Sequence, residues 1–151
     1  FDNSKAAYSF LLDLTSYALY HPKLTSPRVT LAKNYIDTHF YNVSLNLDEI
    51  SDAVGLSKYH LCREFTHLYG TSPGKYLTNL RIQKSCILLL QNRYHTIGDI
   101  ASMVGFSNDN YFCKVFRKSL GITPTQYRIQ NQNYDLVRVL HDSHPCVPSD
   151  K

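Results

Sequence analysis

The chain has 151 residues, of which 43% are hydrophobic and 19% are charged, and its net charge at neutral pH is +4. This length allows one domain, or two small ones, with a buried core. The sequence has no run of about 18 apolar residues, which excludes a membrane-spanning helix, and it shows no signal peptide. We therefore expect a cytoplasmic protein with no membrane partner, and the basic excess favours an anionic partner.

The cysteines indicate reduced thiols rather than a disulfide framework or a zinc site, because they lie far apart and form no C-x-x-C pair. They are Cys62, Cys86, Cys113 and Cys146. Near the C-terminus, His141, His144 and Cys146 offer metal-binding side chains. A proline interrupts them, and no second cluster completes a tetrahedral site. We expect neither a metal nor another cofactor.

Residues 1–27 are predicted to be an N-terminal helix and a linker. Residues 4–20 have a helical pattern that is apolar around most of the circumference, whereas a surface helix shows one apolar stripe. Two interpretations stay open: the helix packs on this domain, or it belongs to a missing partner domain or dimer seam. Residues 21–27 contain two prolines and no periodicity, which is typical of a linker. The chain begins at Phe1 rather than at a methionine, as a fragment would.

Residues 28–69 have a helical pattern that ends in a helix-turn-helix. A helix with one apolar stripe is predicted at residues 28–40, and a short helix with acidic residues in its first turn follows at residues 47–54. Gly55 ends the short helix, in the left-handed conformation that glycine tolerates. Ser57 then caps a second helix at residues 58–69. A helix, a three-residue glycine turn and a helix together predict a helix-turn-helix.

The second of these helices has an apolar side and a polar side. At about 100° per residue, Leu61, Phe65 and Leu68 fall together and must face the core. The opposite side carries an aromatic ring and an arginine, which suit contact with bases in the major groove because arginine bonds guanine bidentately. Its residues are Tyr59, Cys62, Arg63 and Thr66, with His67 at the edge. The alternative is a merely solvated face.

The same pattern recurs about fifty residues later. Residues 97–104 are predicted to be the first helix and Gly105 the turn. Ser107 is predicted to cap a second helix at residues 108–120. Its inward residues are Phe112 and Phe116, and its outward residues are Asn110, Cys113, Lys114, Arg117 and Lys118. An asparagine suits adenine, and cations suit phosphates, although a solvated charge run is the alternative.

The two copies indicate an internal duplication. Nine identities occur when residues 47–76 are aligned with residues 97–127, with one extra residue in the second copy. The identical pairs are Ile50/Ile100, Val54/Val104, Gly55/Gly105, Ser57/Ser107, Cys62/Cys113, Phe65/Phe116, Gly70/Gly121, Pro73/Pro124 and Tyr76/Tyr127. Two copies are too few for a solenoid, so each copy is expected to be a small unit in its own right.

A long helix is predicted between the copies, at residues 72–91. It begins with Ser72 as the N-cap and Pro73 at the first helical position. Its length of roughly 27 Å, added to the half-widths of two small units, reaches the separation of about 34 Å between successive major-groove segments. Both recognition helices are therefore expected to bind one duplex together, without a dimer.

Three segments of the second copy, together with parts of the long helix, form a specific pattern. They are Ile100–Ser107, Tyr111–Lys118 and Gly121–Arg128, with Arg81, Leu88 and Leu89 in the long helix. This pattern resembles the AraC/XylS family of bacterial transcription regulators, over about residues 29–128. The resemblance implies an all-α DNA-binding domain at residues 28–130. It consists of a first unit (28–71), a linker helix (72–92) and a second unit (93–130), and is followed by a C-terminal tail (131–151) with one short helix predicted around residues 136–140.

The resemblance also implies a function and partners. It implies a sequence-specific DNA-binding protein, associated with the bacterial nucleoid, that activates transcription and often contacts RNA polymerase. Many family members carry an N-terminal domain that binds an effector and dimerises. A small-molecule effector and a homodimer are therefore expected of an intact protein, and residues 1–27 would be the end of that domain.

Site residues are implied by position. The base-contacting residues would be Tyr59, Cys62, Arg63, Asn110, Cys113 and Lys114. The phosphate-contacting residues would be Lys58, Thr66, His67, Arg117 and Lys118. Ser51 and Ser85 stand where the family usually has alanine, a departure that should cost little. The two cysteines are weak hydrogen-bonding groups for a base contact.

Two other functions are alternatives for a helical chain of this kind. One is a helical protein-interaction module that never meets DNA. The other is a DNA-bound methyl-acceptor repair protein, because some proteins with this type of DNA-binding domain have that activity. Such repair uses a zinc-bound cluster of four cysteines in a separate segment, whereas these cysteines are scattered. No phosphate loop or nucleophile elbow is present either, so we expect no enzyme and no catalytic residue.

The cysteines at equivalent positions in the two recognition helices raise a redox hypothesis. Cys62 lies next to Arg63 and Cys113 next to Lys114, and a nearby cation lowers the pKa of a thiol. The alternative is that both are small packing residues, since no resolving cysteine is adjacent.

Overall fold

The computed structural model describes residues 26–91 and 94–131. In these ranges the chain is helical and contains no strand, which confirms the predicted all-α class. The helices are α1 (Pro27–His39), α2 (Leu47–Val54), α3 (Lys58–Tyr69), α4 (Pro73–Gln91), α5 (Ile97–Met103) and α6 (Asp109–Leu120), followed by α7 at residues 124–131. The helices predicted at residues 4–20 and around 136–140 lie outside the described residues. Of the helices just named, none is long and apolar enough to cross a bilayer.

The first unit packs around a core of its own. The apolar faces of α1, α2 and α3 meet there against the first half of α4. The buried residues of this core are Val29, Ala32, Ile36, Leu45, Ile50, Leu61, Phe65 and Leu77. Leu61 and Phe65 are fully buried and Leu68 packs against them, as the helical period predicts. The opposite side of α3 is left to solvent.

The second unit has a separate core. There α5 and α6 pack against the second half of α4. The buried residues are Ile82, Leu89, Ile100, Ala101, Val104, Phe106, Phe112 and Phe116. Leu77 belongs to the first core, whereas Ile82 and Leu89 belong to the second. One helix, α4, is therefore shared by two small cores.

The internal duplication is visible inside both cores. The ring centroids of Phe65 and Tyr76 lie 5.5 Å apart in an edge-on arrangement, and those of Phe116 and Tyr127 lie 5.7 Å apart in the same arrangement. Edge-to-face packing suits the charge distribution of aromatic rings. The repeated identities in the sequence therefore preserve a packing unit at the C-terminal end of each recognition helix.

Polar bonds also tie α1 to α4 within the first unit. The Tyr76 hydroxyl donates to Asp37 Oδ1 at 2.7 Å, and Lys33 Nζ donates to Asp37 Oδ2 at 2.6 Å. Burial raises the pKa of Tyr76 to about 12. The hydroxyl consequently keeps its proton and remains a donor at neutral pH.

The two serines that depart from the related family are buried but hydrogen-bonded. Ser51 is 3% exposed and Ser85 is 0% exposed. Ser51 Oγ donates to the carbonyl of Asp48 at 2.9 Å, and Ser85 Oγ donates to the carbonyl of Ile82 at 2.6 Å. Each hydroxyl thus finds its partner in its own helix. The residue equivalent to Ser51 in the second unit is the buried Ala101.

Replacing either serine by alanine should hardly change stability. Ser51→Ala and Ser85→Ala are each expected to change the free energy of unfolding by less than about 1 kcal/mol, because the bond that is lost is local and the volume change is small. Urea unfolding followed by circular dichroism measures this. Phe65→Ala is the positive control, with an expected loss of about 3–5 kcal/mol because it leaves a cavity. A loss above about 2 kcal/mol in a serine variant would contradict the local role.

Candidate nucleic-acid interface

The first helix-turn-helix consists of α2, α3 and the turn between them. Gly55 has a φ of +65°, a left-handed conformation that glycine adopts without a steric penalty. Its carbonyl accepts a hydrogen bond from Arg28 Nη1 at 2.8 Å. Ser57 Oγ accepts from the backbone N–H of His60 at 3.3 Å and caps α3, as predicted. The start of the recognition helix is therefore fixed relative to α1 and α2.

The outer face of α3 carries Tyr59 and Arg63 one turn apart. The Tyr59 side chain is 71% exposed, and the guanidinium carbon of Arg63 lies 5.9 Å from its ring centroid. A cation over an aromatic ring is attracted to it, weakly at an exposed site, and this favours one arrangement of a long side chain. Cys62, which lies between them in the sequence, is half-buried. Thr66 and His67, one turn further along the helix, are exposed.

Lys58, which is predicted to contact a phosphate, has an acidic partner in the first unit. Its Nζ lies 2.6 Å from Asp48 Oδ1, and both side chains are largely exposed. This hydrogen bond raises the pKa of Lys58. A phosphate near the start of α3 would have to compete with Asp48, although exposed ion pairs are weak enough to open.

The outer face of α6 is more basic than that of α3. Its exposed residues include Asn110, Lys114, Arg117 and Lys118, and Cys113 is half-buried among them. Residues 26–71 contain four Lys or Arg and five Asp or Glu, whereas residues 94–131 contain four and two. The sequence of α4 adds three cations and no acid. In the described part of the chain, the positive charge is therefore concentrated on α4 and the second unit.

For Cys113, the structure favours the packing alternative over the redox hypothesis. Burial, with the charge of Asp109, raises the pKa of Cys113, whereas a reactive cysteine needs a lowered one. Burial also raises the pKa of Cys86 to about 11. Both groups are therefore thiols at neutral pH. Within residues 26–91 and 94–131, no group of three His, Cys, Asp or Glu side chains could hold a metal ion.

Two repeated units that present their second helices to solvent can be compared with known proteins. A family model described as a helix-turn-helix domain matches residues 50–130, more than half of the chain. The C-terminal domain of AraT, a response regulator from Geobacillus stearothermophilus, is 33% identical with a TM-score of 0.68, and the match covers 72% of this chain and 88% of that one. A transcriptional regulator with an AraC-type DNA-binding domain from Chromobacterium violaceum is 32% identical with a TM-score of 0.61, and the match covers 69% and 91%. The chain belongs to the AraC-type helix-turn-helix family of DNA-binding transcription regulators.

The predicted family is thus confirmed. Among curated relatives, the bifunctional transcriptional activator/DNA repair enzyme AdaA of Bacillus subtilis is 35% identical over 100 residues, which cover 66% of this chain and 46% of AdaA. The chain spans 36% and 28% of two further relatives, which are uncharacterised HTH-type transcriptional regulators from Bacillus subtilis and Haemophilus influenzae. The match therefore covers less than half of the length of each of these three relatives.

In this AraC-type domain, the predicted site residues all lie on the two recognition helices. Nine of the eleven are exposed, and the two cysteines are half-buried. On α3 they are Lys58, Tyr59, Cys62, Arg63, Thr66 and His67, and on α6 they are Asn110, Cys113, Lys114, Arg117 and Lys118. The structure therefore places one set on each unit and none in a core, while the role of each residue stays a prediction.

The cap predicted for the second recognition helix is wrong. The sequence pairing assigns this role to Ser107, but α6 begins at Asp109 and its N-cap is Asn108, whose Oδ1 accepts from the backbone N–H of Tyr111 at 2.9 Å. Counted back from the paired cysteines, Asn108 is the residue equivalent to Ser57. The extra residue of the second copy therefore lies in the turn before the cap.

Replacing the two candidate cap residues should have unequal effects. Asn108→Ala is expected to lower the free energy of unfolding by about 1 kcal/mol, because it leaves an N–H of the first helical turn without its acceptor. Ser107→Ala is the matched control and should change it by less than about 0.5 kcal/mol, as surface substitutions usually do. Urea unfolding compares both variants with the parent chain. Equal losses would show that Ser107 shares the capping role.

Arg81 of α4 is the residue of this AraC-type domain that sequence reasoning undervalued, since the pattern assigned it only to the linking helix. Its Nε and Nη2 donate to the carbonyls of Phe40 and Asn42, both at 2.7 Å. Its guanidinium carbon also lies 5.8 Å from the ring centroid of Phe106 in the second unit. The acceptors are backbone carbonyls 41 and 39 residues away, so no side-chain pattern could have indicated them.

Proposed function

We propose that this chain is the DNA-binding part of a transcription regulator, and that it binds duplex DNA sequence-specifically with α3 and α6 in successive major-groove segments. One observation carries the proposal: two matching helix-turn-helix units expose the outer faces of their second helices while sharing the helix α4. An α-helix fits the width of the major groove, and a helix-turn-helix uses its second helix there.

In the first unit, Arg63 is proposed to bond a guanine through two parallel N–H donors, with Tyr59 against the neighbouring base or sugar. The contact between the two side chains, 5.9 Å from guanidinium carbon to ring centroid, supports this pairing. Cys62 would fill space beside them. Lys58, Thr66 and His67 would contact phosphates, and Lys58 would exchange Asp48 for a phosphate oxygen.

In the second unit, Asn110 is proposed to bond adenine and Lys114 a guanine, the pairings that their donors and acceptors favour. Cys113 would pack against the groove without bonding to a base. Arg117 and Lys118 would contact phosphates, which contributes affinity but no sequence information.

The length of α4 supports simultaneous binding by both units. Its 19 residues span roughly 28 Å, and the half-widths of the two units bring the recognition helices toward the separation of about 34 Å that successive groove segments need. Once one unit is bound, the other would then bind as if in an intramolecular step.

The proposal extends to the intact regulator. The protein would work at the bacterial nucleoid in the cytoplasm and activate transcription, with contact to RNA polymerase. A small-molecule effector and homodimerisation would act through a domain outside the described residues. The 35% identity to AdaA, a bifunctional transcriptional activator/DNA repair enzyme, supports activation.

A repair activity is the second candidate, because AdaA is named a DNA repair enzyme as well. The three described cysteines, Cys62, Cys86 and Cys113, are free and lie on three helices. None of them therefore forms part of a metal cluster in the described residues. The match covers 46% of AdaA, and the observations favour DNA binding without catalysis.

The experiment that tests the proposed function is selection of bound fragments from a pool of random duplex DNA with this chain. The expected result is a consensus with two half-sites about one helical turn apart. A protein-interaction module would enrich no consensus and show no salt-dependent affinity for duplex DNA.

Arg63→Ala should lower specificity. On the selected duplex, affinity is expected to fall by about 1–3 kcal/mol, and the preference for one base pair should be relaxed, because a bidentate contact is lost. Competition binding with single-base-pair variants of that duplex measures both effects, with random duplex as the reference. Equal losses on selected and random duplexes would contradict a base contact by Arg63.

Lys118→Ala, in contrast, should weaken binding to every sequence alike, because a phosphate contact carries no sequence information.

A matched pair of double variants compares how much each unit contributes to the salt dependence of DNA binding. Arg117→Gln with Lys118→Gln is expected to reduce the slope of log K against log salt by about 2, since each lost phosphate contact removes about 0.9. Thr66→Ala with His67→Ala, at the equivalent positions, should leave the slope unchanged, because this pair removes no lysine or arginine. Binding titrations between 50 and 200 mM salt measure these slopes, roughly the range over which counterion release is large. Equal slopes for all three proteins would contradict the assignment of phosphate contacts to positions 117 and 118.

A further inference from the structure

The contacts of Arg81 lie at the junction between the two units. It occupies the middle of α4, between Leu77 of the first core and Ile82 of the second. Its hydrogen bonds to the carbonyls of Phe40 and Asn42 reach the end of α1 and the turn that follows. Carbonyls at the C-terminal end of a helix carry partial negative charge and favour a cation. Arg81 thus binds the first unit through backbone groups.

The turn of the second helix-turn-helix lies directly against these bonds. A Cβ atom added to Gly105 would lie 2.5 Å from the Phe40 carbonyl oxygen and 2.9 Å from both Nε and Nη2 of Arg81. The neighbouring Phe106 places its ring centroid 5.8 Å from the guanidinium carbon. The guanidinium group is therefore enclosed by the α1 terminus of one unit and the glycine turn of the other.

The equivalent turn of the first unit has no such neighbour. A Cβ atom on Gly55 would meet only Arg28 Nη1, at 3.8 Å, an ordinary contact. Both glycines have positive φ, +65° at Gly55 and +93° at Gly105. The positive φ thus favours glycine at both positions, whereas a lack of space for a Cβ atom requires glycine only at Gly105.

The environment of Arg81 suits a fixed contact rather than a solvated cation. Burial lowers the pKa of Arg81 from its usual high value, and within the described ranges no carboxylate forms an ion pair with it. The positive charge of Arg81 is stabilised instead by the two backbone carbonyls and by the ring of Phe106. The planar guanidinium can form two directed bonds and stack at the same time, which an ammonium group cannot do.

We propose that Arg81 is a positioning residue that fixes the separation and orientation of α3 relative to α6, so that the domain binds two half-sites at one spacing only. This inference rests on the proposed DNA binding. The cores hold α4 to each unit separately, whereas Arg81 and Gly105 join the units to each other. Because one base pair shifts a half-site by about 3.4 Å and rotates it by about 35°, a fixed pair of recognition helices rejects a changed spacing.

The test uses the duplex selected by this chain, the same duplex with one base pair inserted or deleted between the half-sites, and a duplex with one half-site. The variants are Arg81→Met, Arg81→Lys and Gly105→Ala, with Gly55→Ala as the matched control for backbone strain. The parent chain is expected to prefer the selected spacing by about tenfold or more, the effect of about 1.4 kcal/mol. Arg81→Met and Gly105→Ala should reduce this preference severalfold and leave binding to the single half-site unchanged. Gly55→Ala should retain the preference.

A second measurement, made without DNA, tests the same positioning role of Arg81. Nitroxide labels carried on unnatural amino acids at the equivalent positions Thr66 and Arg117 report the distance between the recognition helices. The parent chain should give a narrow distance distribution, and Arg81→Met and Gly105→Ala should broaden it. If Arg81→Met does not fold, Arg81→Lys keeps the cation and the stem and gives the same comparison.

The outcomes separate the two proposals. If the parent chain selects no duplex, the proposed function fails, and the distance distributions alone decide whether Arg81 positions the helices. If the parent chain selects a duplex and the Arg81 and Gly105 variants keep its spacing preference or its narrow distance distribution, the inference about Arg81 is wrong and the proposed function stands. A loss of spacing preference by Gly55→Ala equal to that of Gly105→Ala would also overturn it.

Discussion

The arrangement of this domain depends on the guanidinium group of Arg81, which occupies the junction between two otherwise self-sufficient units. Each unit has its own apolar core, and α4 contributes residues to both cores. The bonds of 2.7 Å to Phe40 and Asn42, with the close approach of Gly105, connect the units beyond the shared helix. Two exposed helical faces become one composite surface only when that junction is fixed.

The duplication has preserved the interior and changed the exterior. The aromatic pairs Phe65/Tyr76 and Phe116/Tyr127 have nearly the same geometry, because replacing a packed ring is costly in any core. On the outer faces, Tyr59 corresponds to Asn110 and Thr66 to Arg117. Exposed positions carry little packing energy, so the two surfaces were free to acquire different chemistry on one scaffold.

Much of the fold could be predicted from the sequence, because apolar side chains at helical spacing identify both the helices and their buried faces. Leu61, Phe65, Phe112 and Phe116 are buried as predicted. The predicted N-cap of α6 was wrong because Ser107 and Asn108 are both good capping residues, and the alignment of the two copies favoured the serine that is identical to Ser57. The state of the Cys113 thiol and the bonds of Arg81 depend on tertiary burial and on distant backbone carbonyls, which leave no periodic signal. The predicted contacts with bases and phosphates rest on exposed positions and on the family, and geometry alone does not assign them.

The uneven charge of the two units has a kinetic consequence for the proposed DNA binding. Diffusion along a duplex relies on cations that stay near the phosphates whatever the sequence, and two of the three cations proposed to contact phosphates, Arg117 and Lys118, lie on α6 of the second unit. In the first unit, Lys33 and Lys58 are paired with Asp37 and Asp48. As the domain slides, the basic second unit would keep contact with the DNA strands while the nearly neutral first unit leaves and re-enters the groove. The first unit, which would contribute least to sliding, would then be the one that stops the domain at a target sequence.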